Sequence, residues 1–131
     1  MQLQKNAIDL GIVTEHGEAL LGFYRDMLQL PEAGTVLLPL GTLTKLQCGE
    51  SLIKLLVLAQ PAAQAAPRAG FAAATGFRYC TLTVVDLDAA IARCRAGGHR
   101  IVVDIVSPRP GLRAAMVEDP DGNTVELMQL D

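Results

Sequence analysis

Residues 118–127, Glu-Asp-Pro-Asp-Gly-Asn-Thr-Val-Glu-Leu, are the stretch on which the interpretation of the whole chain depends. The stretch has the chemistry of a tight turn: Pro120 presets φ, the aspartates beside it bond the local backbone, and Gly122 accepts a positive φ. The residues that follow, Asn123 to Leu130, predict a strand. The pattern alone therefore predicts a hairpin whose second strand begins directly after the turn.

The second half of the chain predicts one strand, one helix and three strands. The helix has Asp86 as its N-cap, an apolar stripe, and the Gly97-Gly98 pair as its stop. Cys80 and Cys94 are expected to point into the core between helix and sheet. The predicted elements are a strand over Tyr79–Val84, a helix over Asp86–Ala96, and strands over Arg100–Val106, Arg113–Glu118 and Asn123–Leu130.

The first half predicts the same order of elements. Thr14 is the expected N-cap of its helix, and glycines mark the turns between its last three strands. Self-similarity at half the chain length indicates a duplicated unit, and neither half could bury both faces of its own sheet. The predicted elements are a strand over Ala7–Val13, a helix over Glu15–Leu28, and strands over Gly34–Pro39, Leu43–Cys48 and Leu52–Leu58, with an Ala/Pro-rich linker over 61–76.

Composition limits the classes of function. The chain has 131 residues, 50% of them apolar, with a net charge of −3 and scattered basic residues. We therefore expect no nucleic-acid partner, and no apolar run is long enough to suggest a membrane partner. Three cysteines without close spacing, and no sign of a signal peptide, favour a cytoplasmic protein with reduced thiols.

Three motifs together carry a resemblance to a known family. They are the first strand with the helix end Phe-Tyr-Arg-Asp-Met-Leu-Gln-Leu at 23–30, the strand and helix start at 81–90, and the turn at 118–127. The chain resembles the vicinal oxygen chelate superfamily of glyoxalases, bleomycin resistance proteins and dioxygenases. The resemblance implies an α+β fold in which two βαβββ modules form a curled, half-open barrel. The expected organisation is a single domain over 1–131, with modules at 7–60 and 77–130.

The resemblance also implies where a site lies. Members of this family take metal ligands from the first and last strand of each module, around a cavity. With Ile8, Leu10 and Ile12 packed under the helix, alternation turns Asp9 toward that cavity. The four ligand positions here then hold Asp9, Lys54, Tyr79 and Glu126, with Arg78 as the alternative to Tyr79.

Three of these four residues depart from the family's His, Glu and Gln ligands, and only Glu126 matches. A charged Lys cannot coordinate a metal, and both histidines, His16 and His99, are expected near helix ends. We therefore expect no divalent metal cofactor. One hypothesis is that the Lys54 ammonium replaces the cation among Asp9 and Glu126, with Tyr79 hydrogen-bonded to a carboxylate. The alternative is that Lys54 is a surface residue extending from a sheet edge.

Two other candidates also have two interpretations. Glu126 is either a site residue or a solvated strand residue. Arg109, in the Pro-rich segment 107–111, is either part of a stiff exposed loop or a residue at the cavity mouth that meets an anionic substrate.

Three functions remain open from the sequence. The first is a metal-independent lyase or isomerase, with Glu126 or Asp9 as the base and Lys54 as the electrostatic stabiliser. The second is a protein that binds and sequesters a small molecule, although the absence of Trp limits stacking on large planar ligands. The third is a structural domain with a vestigial cavity. The resemblance implies a homodimer in each case.

Overall fold

A computed structural model describes residues 1–131, and the chain divides into two compact units, Met1–Ala65 and Ala66–Asp131. The first unit contains one four-stranded sheet in the order β1-β4-β3-β2, in which β1 runs parallel to β4 and the other neighbours are antiparallel. A helix, α1, continues into a π-helical segment. The elements are β1 (Leu10–Thr14), α1 (Gly17–Leu21), the π-helical segment (Gly22–Met27), β2 (Glu32–Leu38), β3 (Gly41–Cys48) and β4 (Ser51–Leu58).

The second unit repeats this arrangement. Its sheet has the order β5-β8-β7-β6, and β5 runs parallel to β8. A short 3-10 turn at Phe71–Ala73 precedes the first strand. The elements are β5 (Tyr79–Thr83), α2 (Leu87–Ala96), β6 (Ile101–Arg109), β7 (Leu112–Glu118) and β8 (Thr124–Leu130). The predicted α+β class and the twofold βαβββ order are thus confirmed. Whether the two units form a single domain stays a prediction.

The core of each unit lies between the helix and one face of the sheet. In the first unit, Leu20, Phe23 and Tyr24 are buried against Ile53 and Leu55. In the second, side chains of α2 are buried against β7 and β8. The fully or almost fully buried side chains include Leu87, Ile91 and Cys94 on α2, Val117 on β7, and Val125 and Leu127 on β8. Each such large apolar side chain contributes about 1.5–3 kcal/mol relative to exposure. The helix therefore fixes which face of each sheet is closed.

The first strand begins later than the sequence predicts. We expected strand structure from Ala7, with Ile8 under the helix, but β1 begins at Leu10 and Ile8 is 85% exposed. Directly before the strand, Oδ1 of Asp9 accepts a hydrogen bond from the backbone N–H of Leu52 at 2.8 Å. Because a side chain already satisfies that N–H, Asp9 does not join the backbone ladder with β4, whose first pair is Leu10 with Ile53.

The first helix also differs from its prediction. Thr14 is not the N-cap: its Oγ1 accepts from the N–H of His16, and α1 begins at Gly17 with His16 as the cap residue. After Leu21 the helix widens into the π-helical segment, where the N–H of Leu28 bonds to the carbonyl of Phe23. In the second unit the predicted N-cap is confirmed, since the Asp86 side chain caps α2 by accepting a hydrogen bond from the N–H of Ala89.

The segment at 107–109 is a strand rather than the loop that we expected. β6 continues through Pro108 to Arg109, with three register shifts against β7. Because β6 is the edge strand of its sheet, Pro108 removes no hydrogen bond that an inner strand would need. The turn then falls at Pro110 and Gly111, whose φ is 79°. Neither helix is long and apolar enough to cross a membrane.

Candidate functional site

The candidate residues of the first unit lie on the sheet face that points away from α1. Ile53, Leu55 and Val57 face the helix, since a Cβ on Gly17 of α1 would stand 2.7 Å from the Val57 side chain. Lys54 alternates with them on β4 and therefore lies on the opposite face. We call this face of the first sheet, opposite α1, the open face of the first sheet.

Asp9 and Lys54 meet on this open face, as the sequence predicts. Nζ of Lys54 lies 3.5 Å from Oδ2 of Asp9. Oδ1 of the same carboxylate accepts from Nζ of Lys5 at 2.5 Å and from the N–H of Leu52 at 2.8 Å. Asp9 is therefore held by two ammonium groups and one backbone amide. Lys5 was not among the residues predicted for the site, because its contact comes from a bend that precedes the strand.

These contacts set the protonation of Asp9. The Lys5 hydrogen bond, and then the Leu52 N–H, lower the pKa of the Asp9 carboxyl from 3.8 to about 2. The carboxylate is therefore a weak base that stays ionised at neutral pH. It is suited to orienting Lys54 and poorly suited to removing a proton from a substrate.

The environment of Lys54 corrects one of the two interpretations of this residue. β4 is an inner strand between β1 and β3, so Lys54 does not extend from a sheet edge. Its side chain is 37% exposed and forms the ion pair with Asp9. The ammonium group is paired, in contact with solvent, and held over the middle of the sheet. That position makes it available to a ligand that lies on the open face.

The candidates of the second unit also lie away from their helix. Glu126 pairs with Thr81 across the parallel β5–β8 ladder, and the Thr81 hydroxyl donates to Oε1 of Glu126 at 2.7 Å. Tyr79, two residues before Thr81, shares this face and is 55% exposed. We call this face, opposite α2, the open face of the second sheet.

Tyr79, rather than Arg78, shares the open face with Glu126. The Arg78 guanidinium instead donates to the carbonyls of Phe71 and Gly70. The expected hydrogen bond from Tyr79 to a carboxylate is not found with Glu126, whose partner is Thr81. Tyr79 instead stacks edge-on against Phe71, at 6.2 Å between ring centroids. Thr81 could have been found from the parallel register, which was not fixed by the sequence.

Arg109 lies far from Glu126 within the second unit. It ends β6 opposite Leu112, whereas Glu126 pairs with Met116, four residues further along β7. Four residues of strand span about 13 Å. Arg109 is exposed, and the structure does not bring it together with Glu126.

The side chains at the four family positions are poorly suited to a divalent metal. In the first unit an ammonium group stands 3.5 Å from the only carboxylate at these positions, and it would repel a dication. In the second unit the side chains are a phenol and one carboxylate, with no imidazole. Neither unit holds a group of three or more His, Cys, Asp and Glu side chains that could bind a metal ion. These side chains do not fit the metal site that the resemblance implies.

Comparison with known proteins gives a family and a fold. The family model for the Glyoxalase/Bleomycin resistance protein/Dioxygenase superfamily matches residues 8–127. No curated protein matches the chain. Among solved structures, a glyoxalase family protein from Bacillus cereus is similar with a TM-score of 0.85, 19% identity, and coverage of 99% of this chain and 96% of that one.

Two further solved structures are also similar to this chain. The fosfomycin resistance protein FosX from Listeria monocytogenes has a TM-score of 0.72 and 11% identity, covering 98% of this chain and 96% of its own. TnmS3, an antibiotic binding protein from Streptomyces sp. CB03234, has a TM-score of 0.73 and 19% identity, covering 99% of this chain and 100% of its own. At these identities the likeness shows the fold alone.

Proposed function

The chain belongs to the Glyoxalase/Bleomycin resistance protein/Dioxygenase superfamily, and we propose that it binds a small organic molecule without a divalent metal. The observation that carries the proposal is the Asp9–Lys54 ion pair, which occupies two of the four positions where the family resemblance implies metal ligands. An ammonium group can supply a fixed positive charge there, and it can donate hydrogen bonds to a ligand.

Binding is favoured over catalysis by the state of the candidate base on the first sheet. The pKa of Asp9 is lowered to about 2, so this carboxylate has little tendency to accept a proton at neutral pH. Its hydrogen bonds to Lys5 and Leu52 hold it as a structural anion. The names of two proteins with the same fold, an antibiotic binding protein and a fosfomycin resistance protein, are consistent with a small-molecule ligand.

A second candidate function is a metal-independent lyase or isomerase that uses Glu126 as its base. One observation favours it: the Thr81 hydroxyl orients the Glu126 carboxylate on the open face of the second sheet. A general base must be held in a defined direction toward the proton that it removes. Tyr79 and Arg109 remain proposed contacts for the substrate.

The proposal includes a homodimer in the cytoplasm. Exposed apolar side chains away from the open face of the first sheet, among them Leu37 at 82% and Val85 at 95% exposure, are of the kind that a second copy would cover. The cytoplasmic location is supported by the three cysteines, which are thiols.

Two measurements test the proposal. Elemental analysis should find no stoichiometric metal, both in protein purified without added metal and after dialysis against nickel, zinc or manganese followed by buffer. A thermal-shift screen of small metabolites and antibiotics should then give stabilising ligands whose effect is unchanged by a chelator.

Stoichiometric retained metal, or a ligand effect that the chelator abolishes, would show that binding depends on a metal. To separate binding from catalysis, each ligand is incubated with the protein and followed by mass spectrometry. A ligand returned unchanged supports the binding protein, and conversion that is lost in Glu126→Gln supports the enzyme.

A further inference from the structure

The three lysines of the chain are concentrated in one place. They are Lys5, Lys45 and Lys54, and all belong to the first unit. Lys45 on β3 and Lys54 on β4 lie directly opposite each other in the antiparallel register, so both project from the open face of the first sheet. Like charges in this arrangement destabilise a sheet unless an anion lies between or above them.

The carboxylates that form ion pairs with these two lysines do not balance their charge. Asp9 is the only carboxylate that forms an ion pair with Lys54, and it also accepts the shorter hydrogen bond from Lys5. Lys45 forms no ion pair with any carboxylate of the unit. The local charge is therefore positive, although the chain as a whole carries a net charge of −3.

The space beside Lys54 is open. On β1, the residue paired with Lys54 is Gly11, and a Cβ built there would meet nothing within 4 Å. On β2, a Cβ on Gly34 would stand 4.0 Å from Cε of Lys45, so the Lys45 side chain lies beside this glycine. Gly11 therefore leaves room for a ligand group next to Lys54.

The next row across the same face is entirely apolar. Four apolar residues are paired in sequence across the strands β1, β4, β3 and β2. They are Val13, Leu56, Leu43 and Val36. These side chains lie two residues further along each strand and therefore about 7 Å from the lysine row. The row of lysines and the row of apolar side chains therefore lie next to each other on one sheet face.

We propose that the open face of the first sheet binds organic anions that carry an apolar body. The carboxylate or phosphonate of the ligand contacts Lys45 and Lys54, with room on the Gly11 side of Lys54, and its apolar body covers the row formed by Val13, Leu56, Leu43 and Val36. This inference rests on the proposed small-molecule function and names the class of ligand. Lys45 is a binding residue that the family resemblance did not indicate.

The test is an NMR titration of the isotope-labelled full chain with four probes: hexanoate, hexylphosphonate, 1-hexanol and acetate. Hexanoate and hexylphosphonate should shift the amide signals of β1, β3 and β4 and bind at least about tenfold more tightly than 1-hexanol, which lacks the charge, because hydrogen bonds to charged groups are lost. Acetate, which lacks the apolar body, should also bind more weakly. Added salt should weaken the binding of the two anions.

Matched variants identify the residues that bind the anionic group of the ligand. Lys45→Met should weaken hexanoate binding about tenfold. Lys45→Arg keeps the charge and should retain most of the affinity. Arg95→Met makes the same change of net charge on α2, where Arg95 pairs with Asp104, and should leave binding unchanged. Circular dichroism of each variant shows whether it is folded, and the Arg variant keeps the test decisive if the Met variant is not.

Equal binding of hexanoate and 1-hexanol, or equal effects of Lys45→Met and Arg95→Met, would overturn the inference. If the screen finds only neutral or cationic ligands and hexanoate does not bind, the anion inference fails while the proposed binding function stands. If neither the screen nor any probe gives binding, both fail.

Discussion

The Asp119 carboxylate holds Asn123 by both its backbone and its side chain. Oδ1 of Asp119 accepts from the backbone N–H of Asn123 at 2.9 Å, and Oδ2 accepts from its Nδ2 at 2.8 Å. Oδ1 also accepts from the N–H of Asp121, and Asp119 is only 4% exposed. One buried carboxylate therefore fixes the turn after which β8 begins, and with it the position of Glu126.

We expect Asp119→Ala to lower the free energy of unfolding by about 2–3 kcal/mol, because buried donors lose a charged acceptor. Asp119→Asn keeps one carbonyl oxygen and should cost less. Urea denaturation followed by circular dichroism measures both. Asp121→Ala is the control within the same turn, since Asp121 pairs with the exposed Arg68, and it should have the smaller effect. A loss for Asp119→Ala no larger than that of the control would contradict this account.

Gly41 should tolerate no side chain. Its φ is 156°, and a Cβ there would stand 2.0 Å from the carbonyl oxygen of Val57. We expect Gly41→Ala to cost about 3 kcal/mol or more, or to prevent folding, because the inner strands β3 and β4 would have to separate. Gly22→Ala is the matched control: Gly22 has a helical φ of −57° and no atom within 4 Å of the added Cβ. It should be neutral or stabilising by up to about 1 kcal/mol, and equal melting temperatures for the two variants would refute the prediction.

The Asp9 contacts predict that the stability of the fold depends on pH. Because the pKa of this carboxyl is lowered in the folded chain to about 2, from an ordinary 3.8, ionised Asp9 stabilises the fold at pH values above 3.8. That contribution is lost as the pH falls from 3.8 toward 2. The urea midpoint of the wild type should therefore exceed that of Asp9→Asn at pH 6, and the difference should shrink toward pH 2.

NMR of the Asp9 carboxyl group tests directly what lowers its pKa. Lys5 provides the largest contribution to the lowered pKa of Asp9, so Lys5→Met should raise that pKa toward 3.8. Gln4→Met is a control that changes a neighbouring side chain and leaves the ion pair intact. An unchanged Asp9 pKa in Lys5→Met would show that the backbone N–H of Leu52 and the Lys54 ammonium are sufficient without Lys5.

The proposed homodimer predicts a particle of twice the chain mass of 13.9 kDa in light scattering coupled to gel filtration. Leu37→Glu and Val85→Glu place charges on exposed apolar positions away from the open face of the first sheet, and each should shift the particle toward the mass of one chain. Ala92→Glu, on the exposed side of α2, is the control and should leave the mass unchanged. A single-chain mass for the wild type at high concentration would overturn the dimer.

Local sequence determined much of this protein. The order of elements repeated in the two halves, the Asp86 cap and the turn at 118–127 follow from apolar periodicity and from residues that bond their immediate neighbours. These features need contacts only a few residues apart, so they can be predicted from the chain alone. The positions of Asp9 and Lys54 on one sheet face followed from strand alternation and the family resemblance.

The tertiary structure decided what depends on pairing between distant strands. The partnership of Lys45 with Lys54, the hydrogen bond from Thr81 to Glu126, and the start of β1 at Leu10 are all set by register. A shift of one residue would turn every side chain of a strand to the other face, and no local pattern fixes that choice. The sequence by itself determined which elements form and their order, whereas the register of the folded sheets decided which charged side chains meet.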